Sequence, residues 1–141
     1  MNRPELDLDL DTTAKSSPKT VLLVEDNEDN RTIYAMILEH HGYGVALAES
    51  GEEAVRFVRT SMPDLILMDI SLPGINGWTA TQRIREIGGG GKVPVVALTA
   101  HVLPEHRRHA ELVGLNGFVP KPCEPRKLLE EVRRHIGGPE R

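Results

Sequence analysis

The chain has 141 residues, enough for one domain with its own core, and its 39% hydrophobic and 27% charged content is that of a soluble globular protein. A formal net charge of −4 argues against a nucleic-acid surface, and no apolar stretch approaches the roughly 20 residues that span a bilayer. The start, MNRPELDLDLDTTAKSS, has no apolar core of a secretory signal, and a single cysteine, Cys123, excludes an internal disulfide and fits a reducing, cytoplasmic compartment.

Residues 1–18 differ from the remainder. Leu6-Asp7-Leu8-Asp9-Leu10-Asp11 alternates with the period of a strand, and Thr12 to Pro18 is a polar linker. The segment has no core-sized apolar face and is expected as a flexible tail, with a short partner-binding strand as the alternative. Thr20–Val24 (TVLLV) then opens a regular alternation as β1. Asn27–His41 follows as α1, with Ile33, Ile37 and Leu38 at helical spacing and Gly42 as its stop. Tyr43–Ala48 is β2, and Gly51–Thr60 is α2 with Ala54, Val55 and Val58 inward. Asp64–Asp69 is β3, and Asn76–Ile87 is α3, ended by Gly88–Gly91, which reads as a flexible loop. Val93–Leu98 is β4, Leu103–Val113 is α4, Asn116–Val119 is β5 and Glu124–Ile136 is α5. Gly137 onward reads as a frayed end. The folded domain is therefore expected over residues 19–137, with tails at 1–18 and 138–141.

Five strands alternating with five helices imply right-handed βαβ units and a parallel sheet. The fold expected is a doubly wound, flavodoxin-like (βα)5 sheet. Its common strand order at this size is 2-1-3-4-5, with the switch point between β1 and β3.

Ligands in such sheets bind beyond the carboxyl ends of the strands. That rim collects Glu25 and Asp26 after β1, Asp69 at the end of β3, Thr99 after β4 and Lys121 after β5. Clustered carboxylates repel unless a cation intervenes, and a hard divalent ion such as Mg²⁺ suits oxygen ligands. A carboxylate nucleophile, a metal, an ammonium and a hydroxyl are together the parts for phosphoryl transfer to Asp. The bland alternatives are a helix-terminal charge pair for Glu25-Asp26, a strand-end cap for Thr99 and a surface lysine for Lys121. His101, His106 and His109 read as solvated helix faces, and Cys123 as an inert small residue.

Four segments, VLLVEDNEDNR, PDLILMDISLPGINGW, PVVALTA and GFVPKP, give the chain its resemblance to the receiver domain of response regulators in two-component signalling. The resemblance covers about residues 19–137. It implies Asp69 as phospho-acceptor, Asp26 as a direct Mg²⁺ ligand, Glu25 acting through water, and the backbone carbonyl of Ser71 as a further ligand. It also implies Thr99 as the switch hydroxyl, Lys121 as the lysine that pairs with the phosphoryl group, a cis Lys121–Pro122 bond and Phe118 as the switch aromatic. The partners implied are a histidine kinase or phosphotransfer protein, and a downstream protein on the face of α4, β5 and α5. A weak homodimer stays open. A receiver belonging to a hybrid histidine kinase is the nearest alternative. An aspartyl-phosphate hydrolase is a more distant one, because position 71 is Ser where acid–base work would want a second carboxylate.

Overall fold

Leu65–Asp69 and Val95–Thr99 are buried at every position, as strands covered on both faces must be. They are β3 and β4 of a sheet that a computed structural model describes over residues 17–100 and 104–141. The Leu-Asp alternation, His101 and the expected first residue of α4, Leu103, lie outside those residues. Thr20–Val24 is β1, Gly44–Ala48 is β2 and Gly117–Pro120 is β5, all parallel, in the order β2-β1-β3-β4-β5. The switch point is between β1 and β3, as the sequence leads one to expect.

The helices are Glu28–His40 (α1), Gly51–Thr60 (α2), Gly77–Arg85 (α3), Pro104–Val113 (α4) and Pro125–Ile136 (α5). Asn27, Ser50 and Asn76 cap the first three by accepting a backbone N–H from three residues on. Each therefore stands just outside the helix it starts. Because side chains alternate along a strand, the sheet builds two cores. Val21, Leu23, Leu65, Leu67, Val96 and Leu98 meet α1 and α5 on one face. Leu22, Val24, Ile66, Met68 and Val95 meet α2 and α3 on the other.

Three expectations need correction. In α1 the buried positions are Tyr34, Ala35 and Leu38, while Ile33 is 52% exposed. Six apolar residues in a row, Ile33 to Leu38, leave the phase of the stripe open, and Tyr34 sets it: its hydroxyl accepts the Cys123 backbone N–H at 3.3 Å.

The glycine run after α3 is not a free loop. Gly90 is buried, with no room for a Cβ against the Ile84 carbonyl. The Arg85 guanidinium gathers this loop: it donates to the carbonyls of Gly90 (2.7 Å), Val93 (2.6 Å) and Gly114 (2.5 Å), and to Asn116 Oδ1 (2.9 Å).

The C-terminus does not fray either. Lys19 N–H donates to Pro139 O at 2.9 Å, the Lys19 ammonium to Ile136 O, and the Tyr43 hydroxyl to Gly137 O at 2.5 Å. Arg141 closes the strap with two bonds to Asp64, at 2.7 and 3.1 Å. Burial pushes the Asp64 carboxyl up, but Arg141 and the Thr20 N–H outweigh it and hold it below its ordinary 3.8. A lowered carboxylate stabilises the fold above its unfolded pKa, and that contribution is lost as pH falls through the folded one. Arg141→Ala should therefore lower stability by less than about 1 kcal/mol at neutral pH. Urea titrations of the two proteins should converge once pH drops below the ordinary range of Asp64. A difference that persists undiminished in acid would show that Arg141 acts without the Asp64 charge.

Candidate functional site

β1 runs beside β3 with Val24 opposite Met68, so the next residue of each strand, Glu25 and Asp69, falls at one level of the rim. Glu25 extends the β1 ladder by donating its N–H to Ala48 O at 3.0 Å. Its side chain is fully buried, and Oε2 accepts the Asn27 N–H at 3.2 Å. Asp69 is 2% exposed, and the Ser71 N–H donates to its Oδ1 at 3.0 Å. That bond aims Oδ2 across the sheet, where the Lys121 ammonium stands 3.1 Å away.

Lys121 reaches the rim because β5 ends at a cis Lys121–Pro122 bond, and the Lys121 N–H is held by the Thr99 carbonyl at 2.9 Å. The ammonium also lies 2.9 Å from Glu25 Oε1, as an ion pair without the alignment of a hydrogen bond. Thr99 ends β4 with its side chain nearly buried. Asp26 is exposed at the mouth. Glu25, Asp26 and Asp69 each bring one carboxylate oxygen within 4.8 Å of the others.

Two pKa shifts describe the electrostatics. Burial, with Asp69 adding to it, pushes the Glu25 carboxyl up against the pull of Lys121 and the Asn27 N–H. Burial pulls the Lys121 ammonium down, but its contacts with Glu25 and Asp69 prevail and hold it above its ordinary value. Lys121 is thus a fixed positive charge throughout the neutral range. One ammonium faces three carboxylates, so the site carries a local excess of negative charge that a cation would relieve.

The rim rests on Arg31 and Glu52, which sequence reasoning gave no role, and on the loop of residues 72–77, which it expected to shape the metal site. Arg31 donates to the carbonyl oxygens of Glu25 (2.9 Å) and Asp26 (3.4 Å), pinning the turn that presents both side chains. Glu52 of α2 accepts the Ile75 N–H at 3.4 Å and steadies the loop after β3. Gly77 starts α3 where a Cβ would stand 2.5 Å from the Asp69 carbonyl oxygen and 2.9 Å from Ile70 Cα. Only a residue without a side chain lets the helix approach the end of β3 so closely. Nothing in the spacing of these residues announces such contacts, because each joins segments that are separate in the chain.

Away from the rim, Phe118 is half-buried on β5, with the Arg107 guanidinium 5.8 Å from its ring centroid. His106 and His109 are not simply solvated: the Trp78 ring lies 4.6 Å from His109 and 6.0 Å from His106, tying α3 to α4.

Comparison with known proteins places this geometry. A model described as the response regulator receiver domain matches residues 21–133. The chain is similar to the polar-differentiation response regulator DivK of Brucella anthropi, at 32% identity over 85% of this chain and 98% of that protein. Among solved structures it is similar to the receiver domain of the sensor histidine kinase PA1611 from Pseudomonas aeruginosa PAO1, which has a magnesium ion coordinated in its active-site cleft. That match has 38% identity, a TM-score of 0.78, and covers 85% of this chain and 98% of the other. It is also similar to the receiver domain in the Saccharomyces cerevisiae complex of the phosphotransfer protein Ypd1 with the response regulator Ssk1, at 34% identity and a TM-score of 0.77, covering 84% and 89%.

Proposed function

The chain belongs to the response regulator receiver domain family, and from that premise we propose that it takes a phosphoryl group onto Asp69 from a histidine kinase or phosphotransfer protein. The observation that carries this reading is the bridge at the rim. One partly buried lysine spans Glu25 and Asp69, the two buried carboxylates of a three-carboxylate cluster. Asp69 differs from Glu25 in that it keeps a slight exposure at the end of β3 and its Oδ2 takes an aligned hydrogen bond from Lys121, which Glu25 Oε1 does not.

In the transfer, an Asp69 carboxylate oxygen bonds to phosphorus as the bond from phosphorus to the donor imidazole nitrogen breaks, and the imidazole leaves with that electron pair. Lys121 supplies positive charge to the phosphoryl oxygens, already in place and held above its ordinary pKa. Its attachment to the Thr99 carbonyl couples the lysine to the strand that carries the switch hydroxyl.

The residues fit Mg²⁺. The donors are all oxygens, they converge, and buried Glu25 Oε1 lacks an aligned hydrogen-bond donor. Asp26 and Asp69 would hold the ion directly, Glu25 through water, and the Ser71 carbonyl would complete the set. Bound there, Mg²⁺ would neutralise charge building on the transferring group.

Phosphorylation then shifts a two-state equilibrium. Thr99 turns toward the phosphoryl group, Phe118 follows, and the face of α4, β5 and α5 presents a new surface to a downstream protein. The similarity to a sensor kinase's receiver favours a second reading, in which the same chemistry serves a hybrid kinase phosphorelay. A hydrolase reading is weaker: Ser71 is exposed and uses its N–H to orient Asp69.

Mg²⁺ titration followed by the fluorescence of Trp78, two residues after the Asn76 cap, tests the metal assignment. The wild type should show a saturable change. Asp26→Ala should weaken it by at least about tenfold, the lower limit for loss of an outer-sphere partner. The fold should stay intact, because the side chain is exposed and its charge is repelled by its neighbours. A variant that titrates like the wild type would remove Asp26 from the metal site.

A further inference from the structure

Asp26 would hold the divalent ion directly, yet its side chain is the least restrained of the cluster. Glu25 and Asp69 each accept a backbone N–H and stand against Lys121. Asp26 is exposed, and among the described residues no cation or N–H holds its carboxylate. The direction of that carboxylate is therefore set by the backbone that carries it. This stretch of backbone lies ahead of α1. The Arg31 N–H donates to Asn27 O at 2.9 Å, so the carbonyls of Glu25 and Asp26 precede the helix ladder and need partners from elsewhere.

One nitrogen serves both. Arg31 stands one turn into α1, and its side chain leans back over the helix start, the direction in which helical side chains tilt. Its Nη1 donates to Glu25 O at 2.9 Å and to Asp26 O at 3.4 Å. These carbonyls belong to the two peptide planes that flank the Asp26 Cα. Holding both planes fixes φ and ψ of Asp26, and with them the direction of its Cβ. The other arm, Nη2, lies 3.8 Å from the Glu49 carboxylate just beyond β2, and the Arg31 side chain is 14% exposed. We propose that Arg31 is a positioning residue for the divalent ion: it acts through the Asp26 backbone and aims that carboxylate toward Glu25 and Asp69. The proposal rests on the metal reading given above.

Charge alone gives the opposite expectation. Arg31 is a cation close to a site that would take a cation, so its removal should tighten binding by relieving repulsion. Loss of positioning should weaken it. The sign of the effect separates the two.

Mg²⁺ titration of the full chain, followed by Trp78 fluorescence, reads that sign. Circular dichroism without metal checks that each variant is folded at the same temperature. Arg31→Met should bind Mg²⁺ about tenfold more weakly than the wild type, the lower limit for an outer partner of a metal ligand. Arg31→Lys keeps the charge on a side chain one atom too short for Nη1, and should fall between the two. The double variant Asp26→Ala, Arg31→Met should bind no more weakly than Asp26→Ala, because nothing is left to position. Equal or tighter binding by Arg31→Met would overturn the proposal, as would the same loss in the Asp26→Ala background. Should Arg31→Met not fold, an Arg31→Lys that binds like the wild type would overturn it instead. A wild type that does not titrate would overturn the metal reading and this proposal with it. A wild type that titrates beside an unchanged Arg31→Met would overturn this proposal alone.

Discussion

Asp69→Asn should accept no phosphoryl group at all. With acetyl phosphate and Mg²⁺, intact-mass spectrometry of the wild type should show a single adduct, stable in acid and labile in base, as an acyl phosphate is. The variant should show none. Glu25 cannot substitute, because it is fully buried and spent on Lys121 and the Asn27 N–H. Asp26 is accessible, but it is the carboxylate that Lys121 does not touch. The amide keeps the volume of the acid and removes one of three mutually repelling charges, so the variant should be at least as stable as the wild type. Loss of the adduct can then be separated from loss of the fold by thermal unfolding of the same sample. An adduct on the variant equal to that of the wild type would show the phosphoryl group going elsewhere.

Arg85→Met should unfold at markedly lower denaturant, by about 3 kcal/mol or more. Its guanidinium is half-buried without a carboxylate, and burial alone pulls its pKa down. What holds it is a set of neutral oxygens: the carbonyls of Gly90, Val93 and Gly114 and the side chain of Asn116. Hydrogen bonds to a charged donor are worth about 1.5–3 kcal/mol each, and acceptors left dry cost about 1–3. Some will find water, which keeps the expected loss near the low end of the sum. Methionine preserves the packing of the stem, so the loss measures the polar head. Arg85→Lys should recover little, because an ammonium cannot fork to acceptors on two loops. A midpoint that hardly moves would mean those loops hold themselves. Asp69 ends β3 beside Leu98, near the far end of β4 from the Val93 loop, so labelling of the folded variant should proceed normally.

The strand alternation and the rim were legible because both are written locally. An apolar pentad ending in Asp, an acidic pair directly after another pentad, and Lys-Pro after a four-residue strand each state their place in a doubly wound sheet. Asp26, Asp69 and Glu25 converge, and Lys121 bridges two of them. What stayed hidden depends on partners distant in the chain. Arg85 on a short helix has the look of a solvated charge until Gly114 and Asn116 arrive 29 and 31 residues later. His109 is exposed as its sequence context suggests, but its ring-edge contact with Trp78 joins two helices and is not written in either. In α1, Ile33 and Tyr34 stand in one run of large side chains, and the choice between them is made by the backbone at Cys123, 89 residues on. The strap from Ile136 to Arg141 was hidden for the same reason: glycines and a proline at a chain end look loose unless Lys19, Tyr43 and Asp64 are known to be waiting.

The near contact at Gly77 gives β3 an abutment. On the α3 side the backbone of Asp69 is braced by a helix start with no slack for even a methyl group. On the β5 side Asp69 is met by the tip of a flexible lysine. One flank is stiff and the other compliant. A phosphoryl group is far bulkier than a carboxylate oxygen, and the strain it introduces must relax into the softer flank. On the function proposed above, the thrust would be deflected from α3 and delivered toward Thr99, Lys121 and β5, which would make signal direction a mechanical property of the domain.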